Sequence, residues 1–309
     1  MPTLMLHSST QDMTGLKRLF EKIAPELRCA VWPDVDPADV DAVACWRPAA
    51  GVLAGLPNLK LLIGTAAGVD NILADPTLPP GVPLTRIVDP YLAHGMAEYV
   101  IWGVLHFYRR FDAILNGRPR REWKDPGQQS AARTKIGIMG TGEIGGHVAR
   151  ELVKLGFSVS GWSRGARAID GVTMFAGDEG LPGFLAELDI CVCVLPLTPQ
   201  TTRILGERTF AMMKPGAAII NVGRGPHVDA DALLRSVRDG HLRGAILDVF
   251  DVEPLPDDSP LWQEPRIVIT PHMASSVHPS DMVRQIAENV RRVRAGEPLL
   301  NLVDRARGY

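Results

Sequence analysis

The 309-residue sequence has no apolar run long enough to cross a membrane and no excess of one charge. A membrane-spanning helix needs about 20 mostly apolar residues. Its 33 lysines and arginines nearly balance 35 aspartates and glutamates, whereas nucleic acids and anionic membranes are bound by clustered positive charge. We therefore expect no membrane span, no membrane partner and no nucleic-acid partner.

Cysteines are few, and their spacing matches neither a zinc site nor a redox pair. Cys29, Cys45, Cys191 and Cys193 lie in or beside apolar runs, which is typical of reduced cysteines in a protein core. No metal site is predicted. The first residues also lack the basic region and the small-residue cleavage site of a signal peptide. We therefore expect a cytoplasmic protein.

A glycine-rich turn stands between a predicted strand and a predicted helix. The apolar run Lys135 to Met139 leads into the turn, and a helix-like segment extends from His147 to Leu155. In this context the first glycine makes the turn, the second admits a pyrophosphate, and the third lets helix and strand pack closely. The helix N-terminus then holds the anion. The predicted dinucleotide-binding residues are Gly140, Gly142, Glu143, Ile144 and Gly145.

The residues after the next predicted strand, Phe157 to Trp162, indicate which dinucleotide fits. An NAD site places Asp or Glu about 20 residues beyond the glycines, where it accepts hydrogen bonds from the ribose 2′-OH. This chain has Ser163 and Arg164 there. A carboxylate repels a 2′-phosphate, whereas a hydroxyl and a guanidinium bind it. We expect NADP(H), with Arg167 as a second cation, and NAD(H) as the weaker alternative.

Apolar runs separated by helix-like segments predict two doubly wound parallel-sheet domains, with a Rossmann cofactor domain inserted into a flavodoxin-like substrate domain. The length is sufficient for both. Residues 1–92 and 276–309 would form the substrate domain, and residues 93–275 the NADP-binding domain, with a ligand cleft at their boundary. The runs near 135–139, 157–162, 190–195, 217–222, 243–249 and 266–269 predict six or seven strands in the cofactor domain. One long helix over 93–115 and an arm over 116–132 would precede them.

Three polar side chains, Arg224, Glu253 and His272, follow successive predicted strands in the cofactor domain. The carboxyl ends of parallel strands are where such a sheet presents functional groups. Reduction of a 2-oxo acid needs a cation for the carboxylate, a proton donor for the carbonyl oxygen, and a group that keeps the donor protonated. A neighbouring carboxylate raises the pKa of a histidine above its ordinary value of about 6.5. Each residue alone also fits a structural role, but together they predict this catalytic set.

These motifs make the sequence similar to the D-2-hydroxyacid dehydrogenase family, and within it to the glyoxylate/hydroxypyruvate reductase branch. The resemblance covers essentially the whole chain, and its segments are Gly140 to Gly145, Leu195 to Thr201, Asn221 to Gly225, Leu247 to Phe250, Glu253 to Pro256, Thr270 to His272 and Val303 to Tyr309. It implies that Arg224 binds the substrate carboxylate, that His272 is the general acid, and that Glu253 pairs with His272.

The resemblance also implies further cofactor contacts. Asp248 would hold the nicotinamide carboxamide, and His272 would lie beside the nicotinamide. The remaining residues that would line the cofactor path are Leu195, Pro196, Thr201, Val222 and Gly223.

Substrate contacts are implied in the first domain. The loop Gly64 to Asp70 matches the family's substrate loop, in which the amides of Ala67 and Gly68 would receive a carboxylate. Trp46 would narrow the pocket toward small substrates. Trp123, in the arm, resembles a position that reaches the neighbouring subunit in related reductases, and the arm implies a homodimer.

We therefore expect an NADPH-dependent reductase that converts glyoxylate and hydroxypyruvate to glycolate and D-glycerate. One alternative is an NAD-dependent dehydrogenase of a larger D-hydroxy acid, which Ser163 and Arg164 disfavour. A formate dehydrogenase is disfavoured because formate oxidation leaves no carbonyl oxygen to protonate. The alternative from another class is a non-catalytic nucleotide-sensing protein, which the intact catalytic positions disfavour.

Overall fold

The computed structural model describes residues 2–165 and 167–306, so Arg307, Gly308 and Tyr309 of the closing motif lie outside the described residues. The chain divides into two compact units. One extends to Tyr91 and resumes at Val277, and the other extends from Leu92 to Ser276. The roles predicted for residues 1–92 with 276–309 and for residues 93–275 stay predictions.

The pairings between the named strands are all parallel and build two sheets. The strands are β1 (Thr3–Ser8), β2 (Cys29–Val31), β3 (Val40–Trp46), β4 (Leu61–Gly64), β5 (Leu84–Thr85), β6 (Lys135–Met139), β7 (Ser158–Ser163), β8 (Val172–Ala176), β9 (Ile190–Cys193), β10 (Ala217–Asn221), β11 (Leu242–Leu247) and β12 (Ile267–Ile269). The α-helices are α1 (Thr14–Ile23), α2 (Asp70–Leu73), α3 (Pro90–Tyr108), α4 (Phe111–Gly117), α5 (Glu143–Lys154), α6 (Gly177–Leu185), α7 (Glu207–Met212), α8 (Ala230–Arg238) and α9 (Pro279–Ala295). In the described ranges, no helix combines the length and the apolar character needed to cross a membrane.

The first unit contains a five-stranded sheet of order β2-β1-β3-β4-β5, the flavodoxin-like arrangement that the sequence predicts. Successive side chains of a strand point to opposite faces. Leu4 and Leu6 therefore pack with Phe20 of α1 and Ile286 of α9, whereas Met5 joins the apolar cluster of the other face. Burial on both faces explains why these strands are continuous apolar runs in the sequence.

The second unit contains a seven-stranded sheet of order β12-β11-β10-β9-β6-β7-β8. Its order is that of a Rossmann domain with one further strand, so the predicted fold class is confirmed. Cys191 and Cys193 point to one face, and Val192 points to the other with Ile138. The chain order reverses between β6 and β9, which makes the carboxyl ends of these two strands the place where a ligand binds in open sheets.

Three details of the elements differ from the prediction. The single helix expected over 93–115 is two helices, α3 and α4, because Arg110 adopts a left-handed φ of 61° between them. The sequence runs missed β8, an edge strand whose side chains are only partly buried or exposed. Cys29 is only partly buried because β2 is also an edge strand, while the other three cysteines are buried as expected.

Candidate active site

The carboxyl ends of five neighbouring strands are level in the second sheet. Pairing places Met139, Cys193, Asn221, Leu247 and Ile269 opposite one another in succession across β6, β9, β10, β11 and β12. The residue after each strand end then begins a loop. Apart from Ser163 and Arg164 at the end of β7, the predicted site residues of this unit lie in these loops or in the first turn of α5. The register brings the strand ends to one edge of the sheet.

The glycine-rich turn after β6 has the geometry that its sequence predicts. Gly140 has a φ of 97°, and a Cβ there would lie 2.9 Å from the carbonyl oxygen of Val194. A Cβ at Gly145 would lie 1.9 Å from the carbonyl oxygen of Gly140. The first and third glycines are therefore required by the turn and by the packing of helix α5 against it.

The middle glycine and the helix start leave room for a dinucleotide. A Cβ at Gly142 would meet no atom within 4 Å, and this residue caps α5 without a side-chain hydrogen bond. The buried Oγ1 of Thr141 has no hydrogen-bond partner among the described residues. Open space beside uncapped helix amides fits an anionic group such as a pyrophosphate. Glu143 is exposed and Ile144 is half-buried in the first turn of α5.

The residues predicted to select the cofactor follow β7, the strand beside β6. Trp162 pairs with Met139, so Ser163 and Arg164 lie next to the glycine-rich turn in the sheet. The hydroxyl of Ser163 donates to the carbonyl oxygen of Gly165 at 2.8 Å. Nη2 of Arg167 lies 3.6 Å from Oε1 of Glu143. Arg167 therefore forms an ion pair with a residue in the first turn of α5.

A tight loop follows β9 and includes Leu195, Pro196 and Thr201. The hydroxyl of Thr201 donates to the carbonyl oxygen of Pro196 at 2.8 Å and accepts from the amide of Thr198 at 2.8 Å. Thr201 is buried, as is Leu195, while Pro196 is half-buried. The structure thus shows Thr201 holding this loop together, and its contact with a cofactor stays a prediction.

The turn that carries Arg224 is fixed by two buried polar side chains. Asn221 donates from Nδ2 to the carbonyl oxygen of Arg224 at 2.9 Å and accepts from the amide of Gly223 at 3.2 Å. Nδ1 of His227 accepts from the amide of Arg224 at 3.0 Å. Because Nδ1 is an acceptor, the proton of a neutral His227 ring is on Nε2, which lies 3.2 Å from the carbonyl oxygen of Pro196.

His272 and Glu253 form a close pair. Nδ1 of His272 lies 2.8 Å from Oε2 of Glu253, and Oε1 of Glu253 accepts from the amide of Phe250 at 3.0 Å. The Glu253 side chain is 16% exposed and the His272 side chain is 34% exposed. Since a carboxylate only accepts, Nδ1 carries a proton and donates a hydrogen bond to Glu253, which leaves Nε2 available for a reacting group.

Asp248 anchors the loop on which His272 stands. It is 1% exposed, and its carboxylate accepts from the amide of Met273 at 2.8 Å and from the amide of Ala274 at 2.9 Å. Its backbone carbonyl oxygen accepts from the amide of His272 at 2.8 Å. Asp248 therefore has a clear structural role, and its predicted contact with a nicotinamide carboxamide stays a prediction.

Three predicted substrate residues belong to the other unit. Trp46 ends β3 and is half-buried, and the loop after β4 holds Ala67 and Gly68, which are also half-buried. Among the residues that the structure describes, neither the amide of Ala67 nor the amide of Gly68 donates a hydrogen bond. Such amides suit a carboxylate. That these residues bind the same substrate as Arg224 and His272 stays a prediction.

Most of the second unit matches a known protein family. Residues 101–274 match the model of the NAD-binding domain of the D-isomer specific 2-hydroxyacid dehydrogenases. The chain belongs to this family. The resemblance noted from the sequence motifs is thereby confirmed.

Similarity to individual members of the family extends over nearly the whole chain. A glyoxylate/hydroxypyruvate reductase A of Serratia proteamaculans is 40% identical over 292 residues, which cover 92% of this chain and 93% of the relative. A D-isomer specific 2-hydroxyacid dehydrogenase from Xanthobacter autotrophicus Py2, crystallised with NADPH and MES, has a TM-score of 0.93 at 41% identity over 99% of both chains. The NADPH-dependent glyoxylate/hydroxypyruvate reductase of Sinorhizobium meliloti, in complex with NADP and sulfate, has a TM-score of 0.92 at 33% identity over 100% of this chain and 99% of that one.

In this member of the D-isomer specific 2-hydroxyacid dehydrogenases, sequence reasoning missed the residues that hold the site in place. His227 is fully buried between two functional loops, although a lone histidine in a turn gives no such signal. Its spacing of three residues from Arg224 was the available hint. Val222 and Gly223 are buried at the end of β10, and a Cβ at Gly223 would lie 2.9 Å from Nδ1 of His227. A larger residue at position 223 would therefore collide with the ring of His227.

Proposed function

We propose that this chain is an NADPH-dependent reductase of small 2-oxo acids, which converts glyoxylate to glycolate and hydroxypyruvate to D-glycerate. The observation that carries the proposal is the 2.8 Å hydrogen bond between Nδ1 of His272 and Oε2 of Glu253. It supports a role of the ring as a proton donor, because Nδ1 is paired with Glu253 and Nε2 is left for the reacting group. The S. proteamaculans and S. meliloti relatives, both named as glyoxylate/hydroxypyruvate reductases, support the substrate class.

The chemistry of the proposed reaction divides among three side chains. Arg224 binds the substrate carboxylate through its guanidinium, which suits paired hydrogen bonds to two oxygens. His272 donates the proton on Nε2 to the carbonyl oxygen and keeps the proton on Nδ1. Glu253 stabilises the positive charge of the ring before the transfer, and the ring then regains a proton from solvent. A reduced nicotinamide, when bound, supplies the hydride that the carbonyl carbon receives.

NADP(H) is the cofactor that the end of β7 favours. From Ser163 to Ala168 the sequence has two arginines and no acidic residue, so nothing in this segment repels a 2′-phosphate. Glu143 lies 3.6 Å from Arg167 and partly neutralises that cation, and we propose Arg164, which follows Ser163 at the end of β7, as the residue that binds the phosphate. The X. autotrophicus and S. meliloti relatives, crystallised with NADPH and NADP, support the same choice.

We propose a homodimer on the basis of exposed apolar side chains on α3 and α4. These side chains, which are 37% to 55% exposed, are Trp102, Leu105, Phe111, Ile114 and Leu115. Trp123 of the arm is fully exposed as well. Exposed large apolar side chains on two consecutive helices favour a subunit interface. Light scattering on a sizing column should give a dimer mass for the wild type and a monomer mass for Leu115→Glu; a monomeric wild type would overturn this part of the proposal.

We further propose a cytoplasmic location, because all four cysteines are free. Unpaired thiols are typical of reducing compartments. Fractionation of cells that express the protein at its natural level tests the location, and recovery from an extracytoplasmic fraction would contradict it.

Steady-state oxidation of NADPH and NADH by the purified protein tests the function. Glyoxylate, hydroxypyruvate, pyruvate and phenylpyruvate should be compared as substrates. We expect fast turnover with NADPH and the two small acids. Preference for NADH would overturn the cofactor proposal, preference for phenylpyruvate would overturn the substrate proposal, and absence of turnover with every pair would overturn the reductase itself.

A further inference from the structure

A short hydrogen-bonded chain leads from helix α3 to the loop of His272. The hydroxyl oxygen of Tyr99 lies 2.5 Å from Oγ1 of Thr270. The hydroxyl of Thr270 donates to Oδ1 of Asp248 at 2.6 Å. Asp248 in turn accepts from the amides of Met273 and Ala274, the two residues that follow His272.

The direction of the protons in this chain is fixed. Thr270 has a single hydroxyl proton, which it donates to the carboxylate of Asp248, so Tyr99 must be the donor to Thr270. Burial raises the pKa of Tyr99 to about 12, so the phenol keeps its proton at neutral pH. Tyr99 therefore donates to the hydroxyl of Thr270, which in turn donates to the carboxylate of Asp248.

The loop held by Asp248 needs such support because His272 has a φ of 52°. A residue with a Cβ is strained in the left-handed region and keeps that conformation only where its surroundings enforce it. The hydrogen bonds of Asp248 lie on both sides of this strained residue, at its own amide and at the two amides after it. The conformation of the His272 loop thus depends on Asp248, through its backbone carbonyl oxygen at the amide of His272 and through its buried carboxylate at the next two amides.

We infer that Tyr99 and Thr270 are positioning residues for the reaction. They hold the Asp248 carboxylate, which keeps the strained His272 loop in the conformation that pairs the ring with Glu253. The inference rests on the proposed function, because it assigns to His272 the role of proton donor. Tyr99 acts through Thr270 and Asp248, to which hydrogen bonds connect its hydroxyl.

The test compares Tyr99→Phe with Tyr108→Phe in the same helix. Tyr108→Phe also removes hydroxyl hydrogen bonds, one donated to the carbonyl oxygen of Gln129 and one accepted from Nε2 of Gln128, and among the described residues neither leads to the His272 loop. We expect kcat to fall about fivefold in Tyr99→Phe, as loss of one hydrogen bond predicts, with the KM for NADPH unchanged. Thr270→Val should lose more, because Asp248 loses its own donor, and Thr270→Ser should restore kcat to near the wild-type value.

Backbone amide hydrogen exchange without cofactor or substrate gives a second measurement. We expect Tyr99→Phe to speed exchange in the segment 271–275 and nowhere else, and Tyr108→Phe to leave this segment unchanged. If Tyr99→Phe matches Tyr108→Phe in both kcat and exchange, or speeds exchange throughout the unit, the inference is wrong. Absence of turnover in the wild type would overturn the proposed function and the catalytic part of the inference, whereas the exchange result would still decide whether the chain holds the loop.

Discussion

Glu253 binds His272 through one oxygen of its carboxylate, and the other oxygen is hydrogen-bonded as well. Oε2 lies 2.8 Å from Nδ1 of His272, and Oε1 accepts from the amide of Phe250 at 3.0 Å. Both oxygens thus have a donor, and the carboxylate has little freedom to turn. A ring held at Nδ1 in this way presents Nε2 in one direction, which is the property that a general acid needs.

Replacement of the proton donor should abolish most of the turnover. For His272→Ala we expect kcat to fall by about 10²- to 10⁴-fold, the usual contribution of a general acid. Affinity for NADPH, measured by fluorescence titration, should stay close to the wild-type value. Glu253→Gln keeps the shape but removes the charge, and should lower kcat by roughly 10- to 100-fold. The exposed His278 offers a control in His278→Ala, and a His272→Ala variant with near-normal turnover would remove His272 from the mechanism.

Reversal of charge after β7 should change cofactor preference. Arg164→Asp places a carboxylate where a 2′-phosphate is expected, so the KM for NADPH should rise by roughly 10- to 100-fold, the worth of a hydrogen bond to a charged group. The KM for NADH should change little, because NADH has no 2′-phosphate. Arg208→Asp, an exposed arginine on α7, provides the matched charge change at a distance in sequence. Equal effects of Arg164→Asp on both cofactors would contradict the assignment.

Two glycines of the same turn should respond differently to alanine. Gly142→Ala meets no protein atom within 4 Å, so its thermal midpoint should be unchanged while the KM for NADPH rises about tenfold or more, or about 1.4 kcal/mol in binding. Gly145→Ala brings Cβ to 1.9 Å from the carbonyl oxygen of Gly140. That overlap should destabilise the fold by about 1–3 kcal/mol. Thermal melts and cofactor titrations of both variants check this contrast, and equal melting losses would refute it.

Glu264 should contribute stability that depends on pH. Its pKa is lowered below the ordinary value of 4.5, first by the hydrogen bond from Arg266, and its side chain is 6% exposed. A lowered pKa means that the folded protein binds the proton less tightly than the unfolded chain. The stabilisation is therefore full above the unfolded pKa and is lost as the pH falls through the folded one.

Urea unfolding of Glu264→Gln at pH 7 and at pH 4 tests this effect. We expect a loss of about 1–2 kcal/mol at pH 7 and a smaller loss at pH 4. Glu187→Gln is the control, because Glu187 also pairs with a cation, Lys135, but is 69% exposed, and exposed pairs contribute little. An equal loss for Glu264→Gln at both pH values would show that charge is not the cause.

Much of the fold was predictable because buried parallel strands are apolar along their whole length. The runs at 190–195 and 217–222 correspond to β9 and β10 for that reason. β8 lacks this signal because it lies at the edge of the sheet and pairs with a single strand, β7. The break between α3 and α4 was also missed, since the left-handed conformation of Arg110 is not encoded by a glycine or a proline.

The candidate site was predictable where chemistry requires a residue type at a strand end. Gly140 and Gly145 are such residues, and the contacts that a Cβ would make explain both. The ring of His227 joins the Arg224 turn to Pro196, a role that its residue type alone does not indicate. Such a contact joins residues about 30 positions apart, and no local pattern in the sequence marks it.

By itself the sequence determined the fold class, the dinucleotide turn and the identity of the polar residues at the strand ends, because these depend on local patterns of apolar residues and glycines. Only the tertiary structure decided that Glu253 reaches Nδ1 of His272 and that Asp248 holds the residues that follow His272. Those contacts depend on the register of β11 against β12, in which Leu247 pairs with Ile269. Register follows from the packing of both sheet faces at once, and packing of that kind is a property of the folded chain.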